Sequence, residues 1–462
     1  MQEWFSFYSI GEDMASGLRT LQSLSQDLAS GRTTSRALVE DCLEQIEKPD
    51  GQGSIAFTHV AAQSARLAAD AMDKLRAANA EPSAFAGIPI SVKDLFDIRG
   101  QVTRAGSRVL DNAAPAAKDA PTVARLRQAG FVVVGRTNMT EFAFSGLGIN
   151  PHFGTPLNPW DRENKRIPGG SSSGAAVSVA DGMAHGALGT DTGGSCRIPA
   201  AFSGLVGFKP TASRVPTEGG VPLSTTLDSV GPIARSVSCC ATMDSILSQE
   251  AYAIGRRDLQ ALRFLVPETL VFDGIDTTVA ADFERAIKHL VDAGAIVTRA
   301  LFPEFADIAP MNAKGGFTAC ESYAWHKDYI DSSADLYDPR VISRIRRGAG
   351  QTAADVIELG YARRKLIAGA EARMAPFDAV LMPTVPIVAP RLAELETDEE
   401  YTRINLLVLR NATTINTIDG CAISIPMNEH GAAPTGLMIA AAGGRDRSVM
   451  DIASAVEALL SA

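Results

Sequence analysis

The spacing of apolar residues predicts a chain in which helices alternate with short strands. Leucines recur at helical intervals between residues 16 and 47, with a break at 31–35 where Thr33 or Thr34 is a candidate N-cap, and an alanine-rich helix follows at 61–80. Pro89 makes the first strand short or an edge strand. The expected strands are 86–92, 131–135, 187–190, 205–208, 262–266, 295–297, 378–382 and 422–425, and the later helices are 121–129, 279–290 and 448–460, while 175–181 is a helix or a buried run. This alternation is typical of an α/β fold with a central sheet between helices.

The chain carries no low-complexity linker and no internal repeat, so its 462 residues are interpreted as one domain. An N-terminal helical layer covers about 1–80, a motif-rich core covers about 85–240, and a C-terminal part that includes the substrate pocket covers about 241–462. Aromatic residues are dense between 305 and 370. They line a substrate pocket or serve as ordinary core, and the pattern leaves both readings open.

Composition excludes several classes of function. The formal net charge of −10 and the absence of a Lys/Arg-rich block argue against a nucleic-acid partner or an anionic membrane surface. No apolar run reaches 18 residues, so no membrane span is expected. The six cysteines show no CxxC spacing and the six histidines no cluster, which predicts reduced thiols, a cytoplasmic location and no metal. The N-terminus lacks the features of a signal peptide, and translation starts at Met1 or Met14.

Two serine and glycine clusters are the strongest chemical signal. Residues 169–174 read Gly-Gly-Ser-Ser-Ser-Gly, and residues 189–199 read Gly-Thr-Asp-Thr-Gly-Gly-Ser-Cys-Arg-Ile-Pro. Glycine lets the backbone approach a ligand and leaves successive N–H groups free to face an anion. A serine directly after such a turn is therefore a candidate nucleophile beside a candidate oxyanion hole. Either cluster alone would be read as a flexible loop, but the pair brackets one buried element and predicts a shared pocket.

These motifs, taken with others nearby, resemble the amidase signature family. Upstream, residues 87–94 read Gly-Ile-Pro-Ile-Ser-Val-Lys-Asp and residues 135–142 read Gly-Arg-Thr-Asn-Met-Thr-Glu-Phe. Downstream, residues 204–211 read Gly-Leu-Val-Gly-Phe-Lys-Pro-Thr, and residues 222–232 fit the same family. The resemblance implies a single α/β domain, with a mixed, twisted central sheet surrounded by helices. It also implies an amidase that needs no cofactor.

The resemblance implies a Ser-cisSer-Lys triad. Ser195 is then the nucleophile, Ser171 is the bridging serine after a cis peptide bond from Gly170, and Lys93 is the base. Burial at the end of an apolar strand would lower the pKa of Lys93 and suit it to this role. Spacing alone favours a different interpretation, in which Lys93 is a surface lysine paired with Asp94 or Asp97.

Further site residues follow from the same resemblance. The backbone N–H groups of Thr192, Gly193, Gly194 and Ser195 are expected to hold the oxyanion. Ser172, Asp191 and Arg197 are expected to support the site, the last two as a structural pair, and Met139 to line the acyl pocket.

Two positions depart from the family pattern. Ser173 replaces a glycine, and Cys196 replaces a branched aliphatic residue. Cys196 is interpreted as a packing residue whose side chain points away from that of its neighbour.

Three other functions compete with an amidase that acts alone on a small amide. An α/β-hydrolase esterase would use Ser172 within the Gly-x-Ser-x-Gly match at 170–174, but a loop rather than a strand is expected before it. A glutamine-hydrolysing subunit of a tRNA-dependent amidotransferase typically has glutamine where this chain has Ile198. A catalytically inactive scaffold would not need an intact Lys93, Ser171 and Ser195. The expected partner is thus a small-molecule amide, with aryl acylamidase activity as an alternative and a homodimer left open.

Overall fold

Eleven strands form one mixed sheet through the centre of the molecule. The computed structural model describes residues 19–255 and 257–461. The strands are β1 Phe57–Val60, β2 Pro89–Lys93, β3 Val132–Thr137, β4 Gly186–Thr190, β5 Val206–Lys209, β6 Val230–Ala234, β7 Arg263–Pro267, β8 Ile296–Ala300, β9 Ala379–Pro383, β10 Cys421–Pro426 and β11 Gly436–Ala441. Their order is β1-β3-β2-β4-β6-β5-β10-β11-β9-β7-β8. β2 pairs in parallel with β3 and β4, and antiparallel pairs run from β4 through β6, β5, β10 and β11 to β9.

Helices pack around this sheet. They are α1 Leu21–Ala29, α2 Ser35–Glu47, α3 Gly53–Ala56, α4 Ala62–Ala77, α5 Pro121–Gln128, α6 Ser173–Ala180, α7 Arg197–Ser203, α8 Val237–Ser248, α9 Thr277–Asp292, α10 Pro303–Ala306, α11 Ile308–Met311, α12 Gly316–Ser333, α13 Pro339–Arg346, α14 Ala353–Met374, α15 Asp398–Thr417 and α16 Asp446–Leu460. Strands β2 to β6 and β9 to β11 are almost completely buried. Helices therefore cover both faces of the sheet, as uninterrupted apolar strands require.

The predicted alternation of helices and strands is confirmed. The break after α1 is where the sequence placed it, and Thr34 caps α2 by accepting a hydrogen bond from the Ala37 amide at 3.1 Å. The strand at β2 is short, as expected. However, it lies inside the sheet between β3 and β4, so the edge position considered for it is wrong. Pro89 is the first residue of the strand, where a missing amide donor disturbs the ladder least.

Two fully buried elements bring the motifs together. Helix α6 begins at Ser173, within the first serine cluster, and all but its last residue are buried. β4 ends at Thr190, within the second cluster. Both elements adjoin β2, since β4 pairs with it and α6 packs against it. The ends of β2 and β4 and the start of α6 therefore meet at one point.

Candidate active site

Lys93 is the last residue of β2 and is completely buried. Its Nζ donates hydrogen bonds to Ser171 Oγ at 2.8 Å and to Thr190 Oγ1 at 2.7 Å. Burial lowers the pKa of Lys93 to about 8, although the nearby negative charges of Asp228 and Asp191 oppose this change. A lysine with such a pKa is partly neutral near neutral pH, so its nitrogen can accept a proton.

The alternative of a surface lysine paired with Asp94 or Asp97 is wrong. Asp94 is buried and accepts a hydrogen bond from Arg136 Nε at 2.6 Å, and Asp97 accepts one from the Thr103 hydroxyl. The nearest carboxylate in sequence therefore has another cation as its partner. Arg136 stands in the motif at 135–142, but spacing gave no signal of this pairing.

The first serine cluster places Ser171 directly against Lys93. Ser171 is completely buried, and the peptide bond between Gly170 and Ser171 is cis. The loop is tight, since a Cβ on Gly170 would lie 2.5 Å from the Gly148 amide nitrogen. The Ser171 carbonyl accepts a hydrogen bond from the Thr140 amide at 3.1 Å, which joins this loop to residues 135–142. Ser171 Oγ is consequently held in contact with a nitrogen that can exchange protons.

Ser195 lies at the turn between β4 and α7 and is 3% exposed. Among the described residues, no group forms a hydrogen bond with its hydroxyl. The preceding Gly194 has φ +124°, and a Cβ there would lie 2.5 Å from Ile198 Cδ1. Only glycine fits this position, so the backbone turns sharply just before the serine.

A buried ion pair holds this turn in place. Arg197 binds Asp191 with two hydrogen bonds, Nη2 to Oδ1 at 2.8 Å and Nε to Oδ2 at 3.0 Å, and Asn416 donates to the same carboxylate at 2.9 Å. Burial would raise the pKa of Asp191, but the charge and hydrogen bonds of Arg197 outweigh it and keep this pKa below the usual carboxyl range. The expected structural pair is present, while Asn416 lies outside every motif and was missed.

The amides of the turn differ in what they bind. The Gly194 amide donates to Asp191 Oδ1 at 2.8 Å, so it already has an acceptor. The amides of Thr192, Gly193 and Ser195 have no hydrogen-bond acceptor among the described residues. These three groups are available to an oxygen atom of a ligand.

Asp228 organises the side of the turn that carries Thr192. Its carboxylate accepts the Thr192 hydroxyl at 2.5 Å and the amides of Leu223 and Ser224 at 3.0 and 3.1 Å. Burial raises the pKa of Asp228 to about 6, even though these hydrogen bonds oppose the shift. Asp228 lies within the motif at 222–232, but sequence reasoning assigned it no role.

The remaining predicted residues are all buried near this point. Ser172 Oγ donates to the Thr190 carbonyl at 3.4 Å, and Met139 is completely buried within the main core. Cys196 packs with small apolar residues of α6 and α7, and burial raises the pKa of its thiol. Its interpretation as a packing residue is therefore confirmed. The esterase alternative lacks its structural context, because no strand leads into Ser172.

An aromatic cluster adjoins the loop that carries Met139. The Phe142 ring contacts those of Trp325, His326 and Tyr337, with centroids 6.0, 4.3 and 5.5 Å away. Trp325 and Tyr337, which belong to the aromatic-rich stretch between 305 and 370, therefore lie against this loop.

Two further findings concern the chain beyond these residues. Within 19–255 and 257–461, no three His, Cys, Asp or Glu side chains come together as a metal-binding group. No helix in the same ranges is long and apolar enough to cross a membrane.

Comparison with known proteins gives the class and the family. The class is that of hydrolases that act on C–N bonds, and the chain belongs to the amidase family, whose sequence model matches residues 37–450. The chain is 39% identical to a 2-amino-5-chloromuconic acid deaminase of Comamonas testosteroni, over 86% of each chain. It is 33% identical to a glutamyl-tRNA(Gln) amidotransferase subunit of Symbiobacterium thermophilum, over 87% of this chain and 88% of that one. A crystal structure of an amidase superposes with a TM-score of 0.86 at 30% identity, covering 95% of this chain and 99% of the other. The predicted family, fold and class of enzyme are confirmed.

Proposed function

We propose that this amidase hydrolyses the C–N bond of a small carboxamide through an acyl-enzyme on Ser195. Its products are a carboxylic acid and ammonia or an amine. The observation that carries the proposal is the contact of Lys93 Nζ with Ser171 Oγ at 2.8 Å, in a site that lowers the pKa of the lysine to about 8. A buried lysine next to a serine hydroxyl supplies the base that the reaction needs.

The relay begins with neutral Lys93. Its nitrogen has two N–H groups and one lone pair, so it donates to Thr190 while it accepts the Ser171 proton across the same 2.8 Å contact. Ser171 in turn accepts the proton of Ser195, whose oxygen attacks the carbonyl carbon. A C–O bond forms and the carbonyl π electrons move to the oxygen. When the C–N bond breaks, the proton on Lys93 returns through Ser171 to the leaving nitrogen. Water then cleaves the ester by the same relay in reverse.

The amides of the turn stabilise the negative oxygen. We assign this role to the N–H groups of Thr192, Gly193 and Ser195, because they have no other acceptor in the described chain. The Gly194 amide was expected to share in it. Its bond to Asp191 suits it better to hold the turn rigid. Preorganised donors of this kind lower the barrier by about 3–4 kcal/mol each.

The substrate is a small molecule, and two features narrow the search. Met139 and Phe142 are apolar core residues next to the site, and we propose that an aryl or alkyl acyl group binds on this side. The relative from Comamonas testosteroni is a deaminase of 2-amino-5-chloromuconic acid, so that compound belongs in any substrate panel beside simple amides. We place the enzyme in the cytoplasm and expect it to act without a cofactor or a nucleic-acid partner, as a monomer or homodimer.

An amidotransferase subunit is the second candidate, favoured by relatives such as that of Symbiobacterium thermophilum. Ile198 argues against it, because glutamine is typical at this position in those subunits. Ile198 is completely buried and packs beside Gly194. We therefore favour an enzyme that acts alone. Ammonia release from glutamine only in the presence of a copurifying subunit would reverse this choice.

Trapping of the acyl group tests the proposal directly. A panel of amides is assayed for ammonia release. Hydroxylamine is then added to the reaction of enzyme with an amide that proves to be a substrate. We expect a hydroxamate to form while amine release continues, since both nucleophiles consume one ester. Mass spectrometry of quenched enzyme should find the adduct on the Ser195 peptide, and Ser195→Ala should abolish it. An adduct on Ser172 or Cys196, or an active Ser195→Ala variant, would refute this assignment.

A further inference from the structure

One face of helix α12 contacts both loops that flank the site. Phe317, Glu321 and Trp325 are spaced four residues apart, so their side chains lie along one side of the helix. Trp325 contacts Phe142 in the loop that carries Met139. Phe317 and Glu321 contact instead the loop formed by residues 223–229, which we call the support loop.

Glu321 is bound to the support loop through both carboxylate oxygens. Oε2 accepts the Ser224 hydroxyl at 2.5 Å and the Thr226 amide at 3.1 Å, and Oε1 accepts the Thr226 hydroxyl. Three donors from one short loop converge on this carboxylate. Hydrogen bonds to a charged acceptor are roughly twice as strong as neutral ones, so this contact fixes the loop against the helix.

The support loop in turn holds the turn that carries Ser195. Ser224 belongs to both contacts, because its hydroxyl binds Glu321 while its amide binds Asp228, which accepts the Thr192 hydroxyl. At the end of the loop, Ser229 exchanges backbone hydrogen bonds with Asp191, and its hydroxyl donates to the Asp191 carbonyl at 2.6 Å. Asp191 and Thr192, where the turn with the oxyanion amides begins, are thus bound to this loop.

An apolar contact reinforces the polar one. Leu227, at the centre of the support loop, packs with Phe317 of α12 and Leu359 of α14 in a small separate cluster. The loop is therefore held to α12 and α14 by apolar contacts in addition to the hydrogen bonds of Glu321. A displacement of α12 would move the loop with it.

We propose that Glu321 is a positioning residue, which sets the oxyanion donors of the turn through the support loop and so couples helix α12 to the reacting centre. Glu321 does not touch the reacting atoms. It acts by fixing Ser224 and Thr226, and thereby Asp228 and the Thr192 backbone. This inference rests on the proposed function of Ser195.

The rate at which an organofluorophosphonate labels Ser195 tests the proposal without a known substrate. Phosphonylation develops negative charge on an oxygen in the oxyanion hole, as acyl transfer does. Glu321→Ala should lower the maximal labelling rate by about tenfold to a hundredfold, because small misplacements of catalytic groups cost about that much. The reagent concentration for half-maximal rate should change less than about twofold, since binding is not the affected step. Glu321→Gln keeps an acceptor for the Thr226 amide and should stay within about threefold of wild type.

The controls distinguish a failure of the inference about Glu321 from a failure of the proposed function of Ser195. Asp328→Asn alters an exposed acid on the same helix and should label at the wild-type rate. Labelling of Ser195→Ala at the wild-type rate would refute the proposed function. Labelling that needs Ser195 but stays unchanged in Glu321→Ala would refute the inference alone.

A double-mutant cycle completes the test. Thr192→Val removes the hydroxyl through which Asp228 acts, so Glu321→Ala should add little to it. Full additivity would contradict the coupling, as would equal losses in Glu321→Gln and Glu321→Ala.

If Glu321→Ala fails to fold by circular dichroism, Thr226→Val removes one donor of the same contact and should show the same effect to a smaller degree. An unchanged maximal rate in that variant would overturn the proposal.

Discussion

Two lysines lie completely buried at the ends of two strands, and they differ in what they bind. Lys93 ends β2 and donates to the hydroxyls of Ser171 and Thr190. Lys209 ends β5 and donates to the backbone carbonyls of Pro210 and Gly420 at 2.8 and 2.7 Å. Burial is the main cause that lowers the pKa of each to about 8. Judged by pKa alone, both lysines would be candidate bases.

The bonding partners distinguish them. A hydroxyl can give its proton to a neutral amine and take it back, so the contact of Lys93 with Ser171 is a path for protons. A backbone carbonyl can only accept, so Lys209 has no proton to receive from its partners. Lys209 instead joins β5 to the segment before β10. A perturbed pKa therefore marks a catalytic base only when a proton donor lies beside it.

The largest expected effect comes from substituting the two buried lysines one at a time. Lys93→Met keeps the apolar stem but removes the base, and it should lower turnover by about 10²–10⁴-fold, the range typical of a general base. Lys209→Met should lower turnover by less than about tenfold. It leaves two buried carbonyls unpaired, so it should reduce the free energy of unfolding by about 1–3 kcal/mol. Ammonia release and denaturant unfolding measure the two effects. Loss of turnover by both folded variants to the same degree would contradict the distinction.

A smaller effect concerns Asp191, whose negative charge raises the pKa of both lysines. Asp191→Asn leaves the Arg197 guanidinium without its buried anion, which should cost about 3–5 kcal/mol of stability. Turnover should also fall by about a hundredfold, because an NH2 group replaces one of the two oxygens that accept the Gly194 and Cys196 amides, so one amide loses its acceptor and the turn shifts.

The matched control for this variant is Asp244→Asn. Asp244 is also buried and binds Arg214, but it lies outside the site. This variant should lose stability while the folded enzyme keeps turnover within about twofold. Equal losses of turnover in the two variants would show that the effect of Asp191 is only structural.

The sequence predicted the strands and helices around the motifs because apolar periodicity is a local property. The sequence also predicted Lys93, Ser171 and Ser195 as site residues, but only through the family resemblance. Spacing alone paired Lys93 with Asp94 or Asp97, and it could not show that Arg136 is the cation that binds Asp94.

The residues that were missed join segments far apart in the chain. Asn416 binds Asp191 from 225 residues away, and Glu321 binds Ser224 from 97 residues away. No periodicity or motif links such positions, because the fold alone brings them together. Pro89 shows that a local rule can also mislead. Proline inside a strand suggested an edge position, but Pro89 is the first residue of β2, where an interior strand tolerates it.

The smallest expected effect is a shift in the pH dependence of activity, and it sharpens the account of Lys93. Only neutral Lys93 accepts a proton, so activity should rise with pH through a midpoint near the lysine pKa of about 8. Asp228, with a pKa of about 6, is ionised at that midpoint, and its negative charge favours the protonated lysine. Asp228→Asn removes this charge. The midpoint should therefore move to lower pH, by about one unit or less.

The shift in midpoint, rather than the height of the profile, is the informative quantity, because Asp228→Asn also weakens the hold on Thr192 and should lower the maximal rate. Asp282→Asn is the matched control: Asp282 is likewise buried and accepts a threonine hydroxyl, from Thr435 at 2.6 Å. Its charge is not among those that shift the pKa of Lys93, so its midpoint should stay at the wild-type value. The profiles of wild type and Asp228→Asn, each scaled to its own maximum, are compared from pH 5 to 10. A midpoint that moves to higher pH, or a profile without a rise near pH 8, would remove Lys93 from the role of base.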